Sequence, residues 1–203
     1  MSYSQFTIAK VIEEFNLSLI ESQNLLPDDL AVSLSPYLQE FINKNLQLAI
    51  ALNTEKARSE LLICPVLLAV KENVKNISLF SGEELNVDPD LGLNGVCDFI
   101  ISQSPEQSYL KAPVVLVVEA KKEDLKGGIG QCTAEMVAAL KFNDLHHNNI
   151  DTVYGAVTTG TLWRFLKLHQ STLTLDLNEY PLSPLGKTIS RFMQMVSLPS
   201  YHP

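Results

Sequence analysis

Asp98, Glu119 and Lys121 are the residues whose types and placing could do chemistry. Asp98 lies within Val96-Cys97-Asp98-Phe99-Ile100-Ile101, and Glu119 and Lys121 close the run Val114-Val115-Leu116-Val117-Val118-Glu119-Ala120-Lys121. Both runs are aliphatic enough to be buried strands, where a charge is costly unless it is paired or binds a cation. Strand alternation puts Glu119 and Lys121 on one face. Two carboxylates on adjacent strands do not stay comfortably ionised side by side: one takes up a proton, or a divalent cation sits between them. A few protein oxygens with room for water suit Mg²⁺, which keeps much of its hydration shell. A lysine beside such a cation can position a bound water or stabilise charge developing on a phosphate. The plainer reading is a structural ion pair at a strand end. Asp124-Leu125-Lys126 is a competing triplet, but between Lys122-Glu123 and Gly127-Gly128 it reads as a solvated loop.

The elements that must hold these residues follow from apolar spacing. Residues 7–19 carry Ile8, Val11, Ile12, Phe15 and Leu19 at helical intervals. Ser35-Pro36 is a helix start, followed by an apolar face of Leu38, Phe41, Ile42, Leu46 and Ala49. Thr54 caps a helix predicted to run to about Lys71, and Pro65 should kink or interrupt it, because it removes one backbone hydrogen bond. The period then changes. Residues 77–87, with a break at Ser81-Gly82, then 96–102 and 114–121 read as strands, the last two close enough to form a hairpin. Asp88-Pro89-Asp90 and Asn94-Gly95 mark turns. The continuous aliphatic stretch 114–118 fits a central strand buried on both faces. Gly127-Gly128-Ile129-Gly130 leads into a helix to about Leu145; strands at 152–158 and 162–168 flank Thr159-Gly160-Thr161. Residues 173–177 could add a strand, and 185–196 form a last helix. The expectation is a mixed α/β sheet flanked by helices, with residues 1–53 a helical extension packed on a core of 54–203.

Composition sets the bounds. A chain of 203 residues, 46% hydrophobic and 19% charged, has the length of one domain and is far from disordered. With 15 Lys and Arg against 23 Asp and Glu, a net charge of −8 excludes a general basic coat for nucleic acid. Such binding would need bound cations or a local patch; near the site only Lys121, Lys122 and Lys126 cluster, with Arg164 further on. The apolar run 61–70 is too short to span a bilayer, and the first residues lack the features of a signal peptide. Cys64, Cys97 and Cys132, each within an apolar segment, read as reduced thiols, which fits a cytoplasmic protein. There is no G-x-S-x-G, P-loop or dinucleotide fingerprint. His146-His147 reads as a helix C-terminal dipole partner and Trp163 as sheet packing.

Taken together, Glu60 on a helix, Asp98 on a strand, Glu119-Ala120-Lys121 on the next, and Gln131 early in the following helix resemble the PD-(D/E)XK nuclease superfamily. Three stretches are similar to the N-terminal nuclease domains of Type I restriction motor subunits and their stand-alone relatives. They are Ser59-Glu60-Leu61-Leu62-Ile63-Cys64-Pro65-Val66-Leu67-Leu68, Asn94-Gly95-Val96-Cys97-Asp98-Phe99-Ile100-Ile101, and Tyr154-Gly155-Ala156-Val157-Thr158-Thr159-Gly160-Thr161-Leu162-Trp163-Arg164-Phe165. The resemblance covers about residues 54–168 and implies a restriction-endonuclease-like fold with core order α-β-β-β-α-β. It implies that Asp98 and Glu119 ligate Mg²⁺ (or Mn²⁺), that the Ala120 carbonyl adds a ligand, and that Glu60 joins the metal shell as in some branches. Lys121 would orient or activate the attacking water, and Gln131 would match the Gln of a Gln-x-x-x-Tyr helix motif. Cys97 stands where many members have Pro, and Glu135 where Tyr would complete that motif.

The reading is therefore a metal-dependent nuclease acting on nucleic acid, DNA first. Duplex cleavage needs two active sites or two events, which fits a homodimer. The alternative is a non-catalytic subunit of the same fold, a binding or scaffold protein, which the net charge of −8 favours.

Overall fold

The structure, a computed structural model, describes residues 2–26, 32, 34–148 and 150–197. After a 3-10 turn at Tyr3–Gln5 comes helix α1 (Ile8–Glu14), whose cap Thr7 accepts the Lys10 N–H. The helix expected to reach residue 19 stops here. Asn16 adopts φ 49, a left-handed conformation that Asn tolerates and a helix cannot continue through. Leu19 instead falls in strand β1 (Ser18–Ser22), so the N-terminal extension is not wholly helical.

Helix α2 (Pro36–Leu52) starts at Pro36 and ends at Asn53, φ 47. Thr54 caps α3 (Glu55–Arg58), its hydroxyl accepting the Ala57 N–H at 3.1 Å. The chain passes through a π-helical turn, Ser59–Ile63, straight into α4 (Cys64–Asn73). The irregularity expected at Pro65 thus lies one turn ahead of it. Proline offers no N–H to the carbonyl four residues back and its ring crowds that carbonyl; a widened turn relieves both.

Strands β2 (Ser78–Glu84), β3 (Val96–Ser102) and β4 (Val114–Ala120) form an antiparallel meander. β2 runs unbroken through Ser81-Gly82, with Gly82 at φ 67. Asp124 caps α5 (Leu125–Leu145), which returns the chain to β5 (Thr152–Thr158), parallel to β4. Then follow β6 (Leu162–His169), β7 (Thr172–Asp176), the short β8 (Tyr180–Pro181) and α6 (Leu185–Ser197). The sheet order is β1-β7-β6-β5-β4-β3-β2, with β8 added to β6, and β1 is an exposed edge strand parallel to β7. The protein is thus a mixed α/β fold with an eight-stranded sheet flanked by helices.

All seven residues of β4 are buried, as continuous aliphatics in a central strand require. Its two faces feed two apolar clusters. One joins Leu62, Leu67, Phe99, Leu116, Trp163 and Phe192; the other joins Val11, Ile100, Val117, Ile129, Met136 and Leu166. The second lies under α1 and α5. There the N-terminal segment presses directly on α5: a Cβ on Gly130 would stand 2.4 Å from the Phe6 carbonyl oxygen and 2.7 Å from the Ile8 nitrogen. Gly130→Ala should therefore push residues 6–8 off the helix, at the roughly 1–3 kcal/mol typical of overpacking. A lower urea midpoint together with faster proteolysis within residues 2–14 is expected; an unchanged midpoint would contradict this packing.

Candidate active site

Strand register brings Asp98 and Glu119 together. Phe99 pairs with Val118 across β3 and β4, so one step further along Asp98 stands opposite Glu119. Residues opposite one another on antiparallel neighbours share a face, and here it is the α5 face, with Ile100 and Val117. Asp98 Oδ2 accepts the Ala120 N–H at 2.8 Å, tying the end of β4 to β3. On the outer side Gly82 lies between the pairs Ser81–Phe99 and Glu83–Cys97, so β2 puts no side chain beside Asp98, which is only half-buried.

Glu119 is 2% exposed. Its Oε1 accepts from Lys121 Nζ at 2.5 Å. The same ammonium donates to Gln131 Oε1 at 3.2 Å, and Gln131 Nε2 donates to Glu135 Oε1 at 3.1 Å. Glu135, one turn on along α5, is fully buried. Glu119 Oε2 and Glu135 Oε2 are both buried and accept from no amide, hydroxyl or ammonium among the described residues; the partner within reach is the other carboxyl, and Glu135, the more strongly raised acid, is the one that donates to Glu119. Lys121 reaches this position because α5 makes room for it: a Cβ on Gly128 would come within 3.1 Å of the lysine Cγ and Cε.

The electrostatics follow from burial. Desolvation pushes the Glu119 carboxyl up to about 7; the Asp98 charge adds to this and Lys121 opposes it. Burial likewise raises Asp98, against the Ala120 N–H and Lys121, which pull it down. Glu135 is held well above the usual carboxylate range, first by burial and then by Glu119. For Lys121, burial favours the neutral amine, but the charge and hydrogen bond of Glu119 outweigh it and the ammonium is held above its ordinary value.

Of the residues singled out from sequence, Asp98, Glu119, Lys121 and Gln131 converge. Ala120 is among them, its N–H on Asp98 and the next amide, Lys121 N–H, on the Thr158 carbonyl at 2.7 Å. Glu60 is not drawn in. Its side chain is 61% exposed and pairs with Lys56 at 3.4 Å, because Leu62 and Ile63 take the buried side of the π-helical turn. The helical carboxylate that bears on both Asp98 and Lys121 is Glu55, at the start of α3. Its position straight after the Thr54 cap was the signal available in sequence. Glu135 was legible only as a departure from the Gln-x-x-x-Tyr pattern. Of the basic residues, Lys122 lies near Glu123 at 3.8 Å and Arg164 is bound to Glu179 at 2.6 Å. His146 Nδ1 lies 2.8 Å from the Phe142 carbonyl at the end of α5, and Trp163 is packed edge-on against Phe192.

Among the described residues no group of three or more His, Cys, Asp or Glu side chains is arranged to hold a metal ion. No helix among them is long and apolar enough to cross a membrane. No family model, curated protein or solved structure matches the chain.

The raised Glu119 carboxyl makes stability depend on pH. Unfolded, it titrates near 4.5; folded, near 7. Between these values the native state binds more protons, so stability falls as pH rises through that window and levels off above it. Glu106, held down to about 2 by Lys111, acts only below 4.5 and does not overlap. In EDTA the urea midpoint should be higher at pH 5 than at pH 8, and Glu119→Gln should reduce the difference without abolishing it, because buried Glu135 and Asp98 are raised in the same sense. A wild-type midpoint that rises between pH 5 and 8 would contradict the assignment.

Proposed function

We propose that this chain is a metal-dependent nuclease of the restriction-endonuclease-like fold, hydrolysing phosphodiester bonds of nucleic acid, DNA first. One observation carries the reading: Asp98 and Glu119 stand in register at the ends of buried strands, and Lys121, two residues on, places its ammonium on Glu119. The element order supports it, with an antiparallel meander β2–β3–β4 and a helix leading to a parallel β5.

The donors fit one Mg²⁺ or Mn²⁺ ion. Glu119 offers a buried Oε2 that neither Lys121 nor Gln131 reaches, Asp98 adds a second carboxylate, and Ala120 follows Glu119 directly in the chain, so its carbonyl is the third candidate oxygen. Two carboxylates rather than three suit an ion that keeps several waters. Bound there, the ion would supply positive charge for phosphate oxygens and lower the pKa of water. Asp98 holds the end of β4 in place through the Ala120 N–H while contributing its charge. Lys121 is gripped by Glu119 and Gln131, which leaves one ammonium N–H that can donate to the attacking water or to charge developing on phosphate. Glu55 adds negative charge nearby, so approach of a phosphate relies on the cation.

The second reading, a non-catalytic binding or scaffold subunit of this fold, has its own support: the Lys121–Glu119 pair is satisfied without any cation. The experiment combines Mn²⁺ titration by calorimetry with cleavage of plasmid and single-stranded DNA. Lys121→Ala should leave metal affinity within a few-fold yet lower cleavage by roughly 10²–10⁴. Glu119→Ala should lose both. Asp98→Asn should lose metal affinity while staying folded, since it keeps an oxygen for the Ala120 N–H. Absence of both metal binding and cleavage in the wild type would leave the scaffold reading.

A further inference from the structure

Glu135 is unusual on packing grounds alone. It has no exposed surface, and its neighbours on α5, Ala134, Met136 and Ala138, are buried too. A carboxyl in such a place costs free energy that an aliphatic side chain would not. No cation touches it; its carboxyl meets the Gln131 amide at 3.1 Å on one oxygen and the Glu119 carboxyl on the other.

That amide has two unlike ends. Its oxygen only accepts and its nitrogen only donates, and a half-turn exchanges them. Lys121 carries an ammonium, which only donates, so it needs the oxygen end, and it has it at 3.2 Å. The opposite end decides whether the amide stays that way round. Glu135 Oε1 accepts the Gln131 Nε2 hydrogen, so a flip would bring nitrogen against the ammonium and oxygen against oxygen.

We infer that Glu135 is a positioning residue for Lys121: by accepting from Gln131 Nε2 it fixes the amide, keeps Gln131 Oε1 on the ammonium, and so holds Lys121 at Glu119. The consequence for cleavage rests on the nuclease reading; the positioning itself does not. Oxygen at position 135 is what matters, so Gln can serve where Leu or Met cannot.

The test reads Lys121 directly. The rate of reductive methylation of its Nζ in metal-free protein is followed by peptide mass spectrometry, with the exposed Lys44 as internal control. Gln131→Leu and Glu135→Met should both raise the Lys121 rate by about ten-fold, the loss of one hydrogen bond to a charged group. Lys44 should not change, and Glu135→Gln should return the Lys121 rate to near the wild-type value. With Mn²⁺ and DNA, Gln131→Leu and Glu135→Met should lower kcat by similar factors with KM little changed, and the double variant should be no worse than either. Where Glu135→Met does not fold, the contrast between Glu135→Gln and Glu135→Leu in the same assay replaces it. An unchanged Lys121 rate in folded Glu135→Met or Glu135→Leu overturns the inference, as does a double variant whose effects multiply. Methylation rates that shift as described in a wild type that cleaves nothing would uphold the positioning and defeat the nuclease reading. Cleaving wild type with an indifferent position 135 would do the reverse.

Discussion

The hydrogen bond from the Ala120 N–H to Asp98 Oδ2 sets the end of β4 against β3, and the acidic cluster is laid out from it. Strand pairing alone would place Asp98 opposite Glu119, but backbone ends fray, and a one-residue slip would send Glu119 and Lys121 to the other face. The carboxylate closes the pairing one step beyond the ladder. It also brings two acidic groups together at the edge of a dry core, which is why burial dominates the behaviour of Asp98 and Glu119.

The helices complete what the strands begin. Helix α5 supplies Gln131 and Glu135 on one side and leaves space at Gly128 for the lysine stem. The N-terminal segment holds that helix from behind, with Tyr3 buried and donating to the Leu85 carbonyl and Gly130 against the backbone of residues 6–8. On the far side Arg58 donates to the Thr159 carbonyl at 2.8 Å and to Asn53 Oδ1 at 3.2 Å, and Asn53 reaches Glu123. The start of α3, the β5–β6 turn and the β4–α5 loop are thereby joined around Lys121.

The strands were legible because their aliphatic runs are continuous and bounded by turns; β3 and β5 begin and end where the pattern does. The same pattern carried Asp98, Glu119 and Lys121, since a charge stands out in such a run. Where local and tertiary preferences compete, sequence misleads. Leu19 continues the helical spacing of α1, yet the edge of β7 offers pairing that the helix does not, and Asn16 makes the turn. Glu60 has the right type and the right distance from Pro65, but the facing of a helical residue depends on the turn it sits in. A π-helical turn changes that facing, and nothing in residue types marks it. Glu135 shows the reverse case: its burial depends on α5 crossing β4 and β5, contacts remote in sequence.

The central claim is that this row of acids is a cation site from which Lys121 works. A crystal structure of Mn²⁺-soaked wild-type protein, phased to give an anomalous difference map, tests it most directly. The account predicts one strong peak between Asp98 and Glu119 Oε2, with Lys121 still on Gln131 Oε1. No peak there, with the Lys121–Glu119 pair intact at millimolar Mn²⁺, would contradict it.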